Sequence, residues 1–120
     1  MKKKTLVFGA STNPSRYSYL AVNRLLAYGY EVVAYGNKEG RIKSVEINLG
    51  LLAHNSIHTV TLYLNPKNQK PYYNYIMSLN PERVIFNPGT ENPEFYNLLE
   101  EKGIEYEEAC TLVLLSTNQY

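Results

Sequence analysis

The stretch "TLVFGASTNPSRYSYLAVNRLLAYGYEVVAYG", residues 5 to 36, decides the fold because its hydrophobic period changes twice. "TLVFGA" (5 to 10) is apolar on both faces, as a strand covered by helices on both sides requires. From about Pro14 to Tyr28 the period becomes helical: Ser18, Ala21, Val22, Leu25 and Leu26 stand at i, i+3, i+4, i+7 and i+8. Gly29 follows where a left-handed cap closes a helix. "YEVVAYG" (30 to 36) then reads as a second strand. A strand, a helix and a strand in that order make parallel strands joined by a crossover.

The same alternation continues outward. "HTVTLYLNP" (58 to 66) reads as a central strand, about Pro71 to Leu79 as a helix, "RVIFNPG" (83 to 89) as a strand and "PEFYNLLEEKG" (93 to 103) as a helix capped by Gly103. "IEYEEACTLVLL" supplies one or two closing strands. Residues 37 to 57 are irregular: "NKEGRIKS" is a loop, "VEINL" a short strand and "GLLAHNS" a poor helix. The order predicts an α/β domain of three layers, Rossmann-like, with an open and mainly parallel sheet spanning residues 1 to 120 as a single domain. Ligands of such sheets lie beyond the carboxyl ends of the strands, where the strand order reverses.

Five of the six prolines follow asparagine, at 13-14, 65-66, 80-81, 87-88 and 92-93. Asn is a strong helix N-cap, Pro suits the first helical position, and the residue before Pro is pushed out of the α region. Asn-Pro therefore reads as a strand-to-helix switch that aims helix starts, with their unpaired N–H groups, at an anionic ligand. Asn80-Pro81 leads into a strand and only stops a helix.

Composition excludes several classes. Lys+Arg 12 against Asp+Glu 11 leaves no basic excess for nucleic acid or a membrane surface. Lys2-Lys3-Lys4 is followed by a strand-length run and then polar residues, so it reads as a solvated terminus rather than the start of a signal peptide. No run approaches the roughly 20 apolar residues of a membrane span. The lone Cys110 excludes an internal disulfide and fits a reducing cytoplasm. The chain has no Asp, so Ser-His-Asp and aspartyl mechanisms are out, and neither a nucleophile-elbow nor a Walker sequence is present.

The turn after the first strand, "GASTNPSRYSY", has one glycine where the dinucleotide fingerprint has three. Ser11, Thr12 and the Arg16 guanidinium then replace bare backbone as phosphate contacts. The second strand ends "AYGNKEG", with Lys38 where an NAD site wants an acid, and a lysine there suits a phosphorylated ribose. NADP and coenzyme A both carry one.

Together, "GASTNPSRYSYLAVNRLLAYGYEVVAYGNKEGRI", "VTLYLNPKNQ" and "IFNPGTENPEF" resemble the small single-domain CoA-binding proteins, which are similar to the N-terminal CoA-binding domain of the succinyl-CoA synthetase α subunit. The resemblance implies coenzyme A as ligand. It implies that the turn holding Gly9, Ser11, Thr12, Asn13, Pro14 and Arg16 meets the phosphates, that Lys38 is the basic position after strand two, and that Asn87, Pro88 and Gly89 form the loop passing the ligand. It also makes Cys110 the counterpart of a cysteine near the pantetheine end, with a mixed disulfide to CoA as a testable consequence. It implies no catalytic activity, because the synthetase's phosphorylated histidine lies in another domain.

Plainer readings stand beside these. Cys110 also reads as an inert buried thiol, Arg16 as a helix-capping side chain, Lys38 as a solvated loop lysine, and Glu91 as a loop cap. His54 and His58 are four apart but lead into a strand, so they do not read as a metal pair. The twelve tyrosines read as core margin, or as a homodimer contact. Three functions follow: a module binding CoA or acyl-CoA without a catalytic centre, a small NADP-dependent oxidoreductase, or a protein-interaction subunit with a vestigial nucleotide site.

Overall fold

The computed structural model describes residues 3 to 120, so Lys2 of the basic run lies outside the described residues. Seven strands, β1 (Thr5–Phe8), β2 (Val32–Tyr35), β3 (Gly40–Ile42), β4 (Val45–Asn48), β5 (Thr59–Leu62), β6 (Arg83–Phe86) and β7 (Glu105–Glu108), form one sheet in the order β3-β4-β2-β1-β5-β6-β7. Every neighbouring pair is parallel except β3 with β4. Thr5 pairs with Val32 and Thr59, Thr59 with Arg83, and Arg83 with Glu105, so four strands start level beside β1 and their carboxyl ends open on one side. The chain leaves β1 toward β2 and later returns to β5 on its other flank; this reversal is the switch point.

The helices are α1 (Tyr17–Ala27), α2 (Pro66–Gln69), α3 (Tyr73–Ser78), α4 (Pro93–Glu101) and α5 (Thr111–Ser116), with a 3-10 turn at Lys70–Tyr72. Strand alternation sends Leu6, Phe8, Val60, Leu62, Val84 and Phe86 to one face, against Ile76, Phe95 and Leu99. Val7, Ala34 and Ile85 point to the other, against Val22, Leu25 and Leu115. The sheet is therefore buried on both faces, and the α/β three-layer Rossmann-like fold stands as expected from the sequence. Each of the Val, Leu, Ile and Phe side chains contributes about 1.5–3 kcal/mol by leaving water.

Four local expectations are corrected. α1 starts at Tyr17, not Pro14, because Asn13 Oδ1 accepts from the Ser15 N–H at 3.0 Å and its hydroxyl at 2.8 Å, closing a turn ahead of the helix. Residues 40 to 42 are strand β3 rather than loop, paired in a hairpin with β4. Residues 50 to 57 form no helix; Ser56 sits at φ 63° and the segment crosses the sheet as loop. The run "TLVLL" forms α5 rather than a closing strand, because Asn87 Oδ1 accepts the Thr111 N–H at 2.9 Å and so satisfies a helix-start donor. A fifth concerns the helix expected from Pro71 to Leu79, which starts earlier as α2: Asn65 Oδ1 accepts from the Asn68 N–H at 2.9 Å and Pro66 opens it.

The amino ends of the strands carry basic side chains set beside acids. Lys4 meets Glu31 at 3.5 Å, His58 meets Glu82 at 3.7 Å, and Arg83 meets Glu107 at 3.3 Å. Arg83 also lies over the Tyr120 ring at 4.4 Å and donates to the Tyr120 carbonyl at 3.2 Å. The Tyr120 hydroxyl bonds Thr5 Oγ1, and its ring packs edge-on to Tyr30 at 5.0 Å between centroids. Burial raises the Tyr120 phenol above its ordinary pKa, so it stays protonated and bonded.

Candidate functional site: a cationic cleft at the carboxyl ends of the strands

A cleft of about 960 Å³ opens over the carboxyl ends of β1, β2, β5 and β6, at the switch point. Its floor is the turn after β1. There Gly9 takes φ 98°, and both the Gly9 and Ala10 N–H groups donate to the Tyr35 carbonyl, at 2.8 and 2.7 Å. Only glycine adopts that φ at low cost. The turn is seated on residues remote in sequence: a Cβ on Gly36 would lie 2.4 Å from Ala10 O, and one on Gly40 would lie 2.4 Å from Thr12 Cγ2. The close approaches that a glycine-rich fingerprint provides within one turn are here provided partly by β2's end and β3.

Gly9, Ser11, Thr12, Asn13, Arg16, Lys38, Pro88 and Gly89 all line this cleft, so eight of the eleven residues singled out from the sequence converge. Pro14, Asn87 and Cys110 do not line it. Pro14 is exposed in the turn before α1. Asn87 is 2% exposed and acts behind the wall: its amide donates to Thr61 Oγ1 at 2.6 Å and the Leu62 carbonyl at 2.9 Å while its oxygen holds α5. Cys110 is half-buried at the N-cap of α5. Glu91 accepts the Gly89 N–H at 2.9 Å, the loop-capping role its position allowed.

Sequence reasoning missed several residues. Lys67, in the first turn of α2, adds a third cation to the wall. Gln69 is fully buried and braces two walls: its amide nitrogen donates to the Leu64 and Thr90 carbonyls, both at 2.8 Å, and its oxygen accepts from Asn92 at 2.9 Å. Asn92 in turn caps α4 by accepting from the Phe95 N–H at 3.3 Å. The "NPK" after β5 signalled Lys67; nothing local signalled Gln69, whose partners lie up to 23 residues away. Tyr63 also lines the cleft. Its hydroxyl is buried beside the Thr61 and Thr111 hydroxyls, which bond each other at 2.8 Å, and burial pushes its pKa well up.

The electrostatics are one-sided. Arg16, Lys38 and Lys67 line the cleft, no carboxylate does, and none of the three has an ion pair among the described residues. The first turn of α1, at Tyr17 and Ser18, borders the same space and adds its partial positive charge. Such a cleft concentrates field on an anion. The histidines stand apart from it: His58 is at the amino ends with Glu82, and His54 bonds the Tyr35 hydroxyl at 2.7 Å. No helix is long and apolar enough to cross a membrane among the described residues.

Comparison with known proteins fits this geometry. A solved structure of an uncharacterized protein is 48% identical to this chain, with TM-score 0.97 over 100% of this chain and 99% of that one. A Thermus thermophilus protein shares the fold at 22% identity and TM-score 0.86, covering 99% of this chain and 91% of its own. A hypothetical protein from Pyrococcus horikoshii OT3 does so at 24% identity and TM-score 0.86, covering 97% and 83%. No curated protein matches. The family described as CoA binding domain matches residues 3 to 116, the whole sheet and every helix of the three layers, and the chain therefore belongs to the CoA-binding domain family.

Proposed function

We propose that the cleft binds coenzyme A or an acyl-CoA and holds it without transforming it. The observation that carries this reading is three cations with no ion pair among the described residues, in a cleft at the switch point whose described lining has no carboxylate. A ligand with a pyrophosphate and a separate ribose phosphate matches cations placed on different loops. The first turn supplies Ser11, Thr12 and Asn13 for the pyrophosphate, with Arg16 as a forked donor. Lys38, after β2, takes the ribose phosphate as a point charge. The volume of about 960 Å³ stands at the upper end of the roughly 300–1,000 Å³ of small-molecule sites, as an extended ligand requires.

Coenzyme A itself supplies a thiol that carries acyl groups; the chain's own residues here bind and orient. A general base must reach the proton it removes, and neither histidine lines the cleft. Calorimetric titration with CoA, NADP and NAD tests the reading. CoA at a hundredfold excess over its dissociation constant stabilises the fold by about 2.7 kcal/mol, a visible rise in Tm. Binding of NADP without CoA would move the oxidoreductase reading ahead, and silence from all three would leave the interaction-subunit reading.

A further inference from the structure

The segment from Leu49 to Ile57 crosses from β4 to β5 without helix or strand, where crossovers in this kind of sheet are helical. Leu49 and Leu51 line the cleft, yet they are 51% and 46% exposed. Such a loop lacks a backbone ladder to fix its position. Side chains hold it instead. The Leu52 N–H donates to the Tyr35 hydroxyl at 3.0 Å, and the Leu52 carbonyl accepts from the Tyr75 hydroxyl. Tyr35 and Tyr75 oxygens lie 3.0 Å apart, and His54 Nε2 lies 2.7 Å from Tyr35. Two phenols, one from the end of β2 and one from α3, thus occupy both backbone polar groups of a single loop residue, as a neighbouring strand would.

The Leu52 carbonyl can only accept, and it takes the Tyr75 proton. The Tyr35 hydroxyl lies 3.4 Å from the same carbonyl, and the Tyr75 hydroxyl also reaches the Tyr35 oxygen, so the two phenols share one acceptor. His54 joins the cluster through the Tyr35 oxygen. Tyr35 is itself a wall of the cleft, 2% exposed, with its ring stacked on Phe8 at 5.7 Å between centroids. The clasp and the site therefore share a residue.

We propose that Tyr35, Tyr75 and His54 are positioning residues: their hydrogen-bonded clasp on Leu52 holds the segment 49 to 57 against the cleft and fixes the wall formed by Leu49 and Leu51. The ligand arm of the test rests on the CoA reading; the exchange arm does not. In the ligand-free protein, Tyr35→Phe and Tyr75→Phe keep both rings in place, and the clasp predicts that Leu52 amide hydrogen exchange becomes about tenfold faster in Tyr35→Phe while amides of β1 and β5 are unchanged. In the ligand arm, Tyr75→Phe and His54→Leu weaken CoA about fivefold with little change in Tm, and His54→Gln, which keeps an amide donor, restores binding. An unchanged Leu52 exchange rate in Tyr35→Phe overturns the clasp. Faster exchange with unchanged CoA affinity overturns its positioning role. A protein that binds no CoA sinks the functional reading, and the exchange rates then decide the clasp in either direction.

Discussion

The two ends of the sheet are built oppositely from the same kinds of residue. At the amino ends the strand-border cations Lys4 and Arg83 each have an acid, Glu31 and Glu107, His58 lies beside Glu82, and Arg83 also covers the buried Tyr120. At the carboxyl ends Arg16, Lys38 and Lys67 face an open cleft with no acid in its walls. The pairs as such contribute little, since Glu31 and Glu82 are 69% and 78% exposed and such bridges are worth about 0–1 kcal/mol. What the difference teaches is where charge has been left unmatched. Cations held together without counter-charge repel one another, and a bound polyanion relieves that repulsion. One end sets its basic side chains beside acids; the other lines a cleft with cations that have no ion pair among the described residues.

Substitutions that act at one end and not the other sharpen this contrast. The largest effect belongs to Tyr120→Ala, which removes a ring packed on Arg83 and Tyr30 and the hydroxyl on Thr5. It should cost about 3 kcal/mol in denaturant unfolding, with CoA affinity of the folded fraction unchanged. A loss of affinity as large as the loss of stability would break the division between the ends. Next is Gly36→Ala, whose Cβ meets Ala10 O at 2.4 Å and pushes the first turn. About 2 kcal/mol of stability goes with it, and CoA binding weakens as well, because packing and the first turn are coupled here; equal CoA titrations of both proteins would expose the idea as wrong.

Arg16→Ala ranks third. It removes a charged donor worth about 1.5 kcal/mol to a bound phosphate, so affinity falls roughly tenfold, and Tm of the ligand-free protein stays level or rises. A fall in apo Tm would mean that Arg16 serves the fold. The smallest effect is a pH dependence at the amino ends. Burial lowers the His58 pKa below the ordinary 6.5, outweighing the attraction of Glu82, and Lys3 and Arg83 lower it further. The unfolded chain then takes up the proton first. Stability is full above 6.5 and falls as pH drops through 6.5 toward the lower folded value. Thermal melts of wild type and His58→Gln between pH 5 and 8 should differ in slope, and parallel curves would remove His58 from the account.

How much of this was legible in the sequence depended on how local the cause is. The parallel core was readable because strand and helix periods are written into consecutive residues, as in 5 to 36. The Asn-Pro pairs at 65-66 and 92-93 do begin helices, where the Asn oxygen reaches the third N–H beyond it. The same pair at 13-14 makes a turn, because Ser15 offers two closer donors. α5 was misread as strand because "TLVLL" suits either state, and its cap comes from Asn87, 24 residues earlier. The cleft's cations after β1 and β2 were visible as breaks in a known fingerprint. Its braces, Gln69 and the Tyr35–Tyr75–His54 clasp, were not, since each is defined by partners brought together only on folding.

The central claim, that unmatched cations at the carboxyl ends await a phosphorylated ribose and a pyrophosphate, is tested most directly by a calorimetric cycle: wild type and Lys38→Ala, each titrated with CoA and with dephospho-CoA. The account predicts that wild type binds CoA about tenfold more tightly than dephospho-CoA, and that Lys38→Ala binds the two alike, a coupling of about 1.4 kcal/mol between the lysine and that phosphate. Equal binding of both ligands by wild type, or an undiminished preference for CoA in Lys38→Ala, would contradict it.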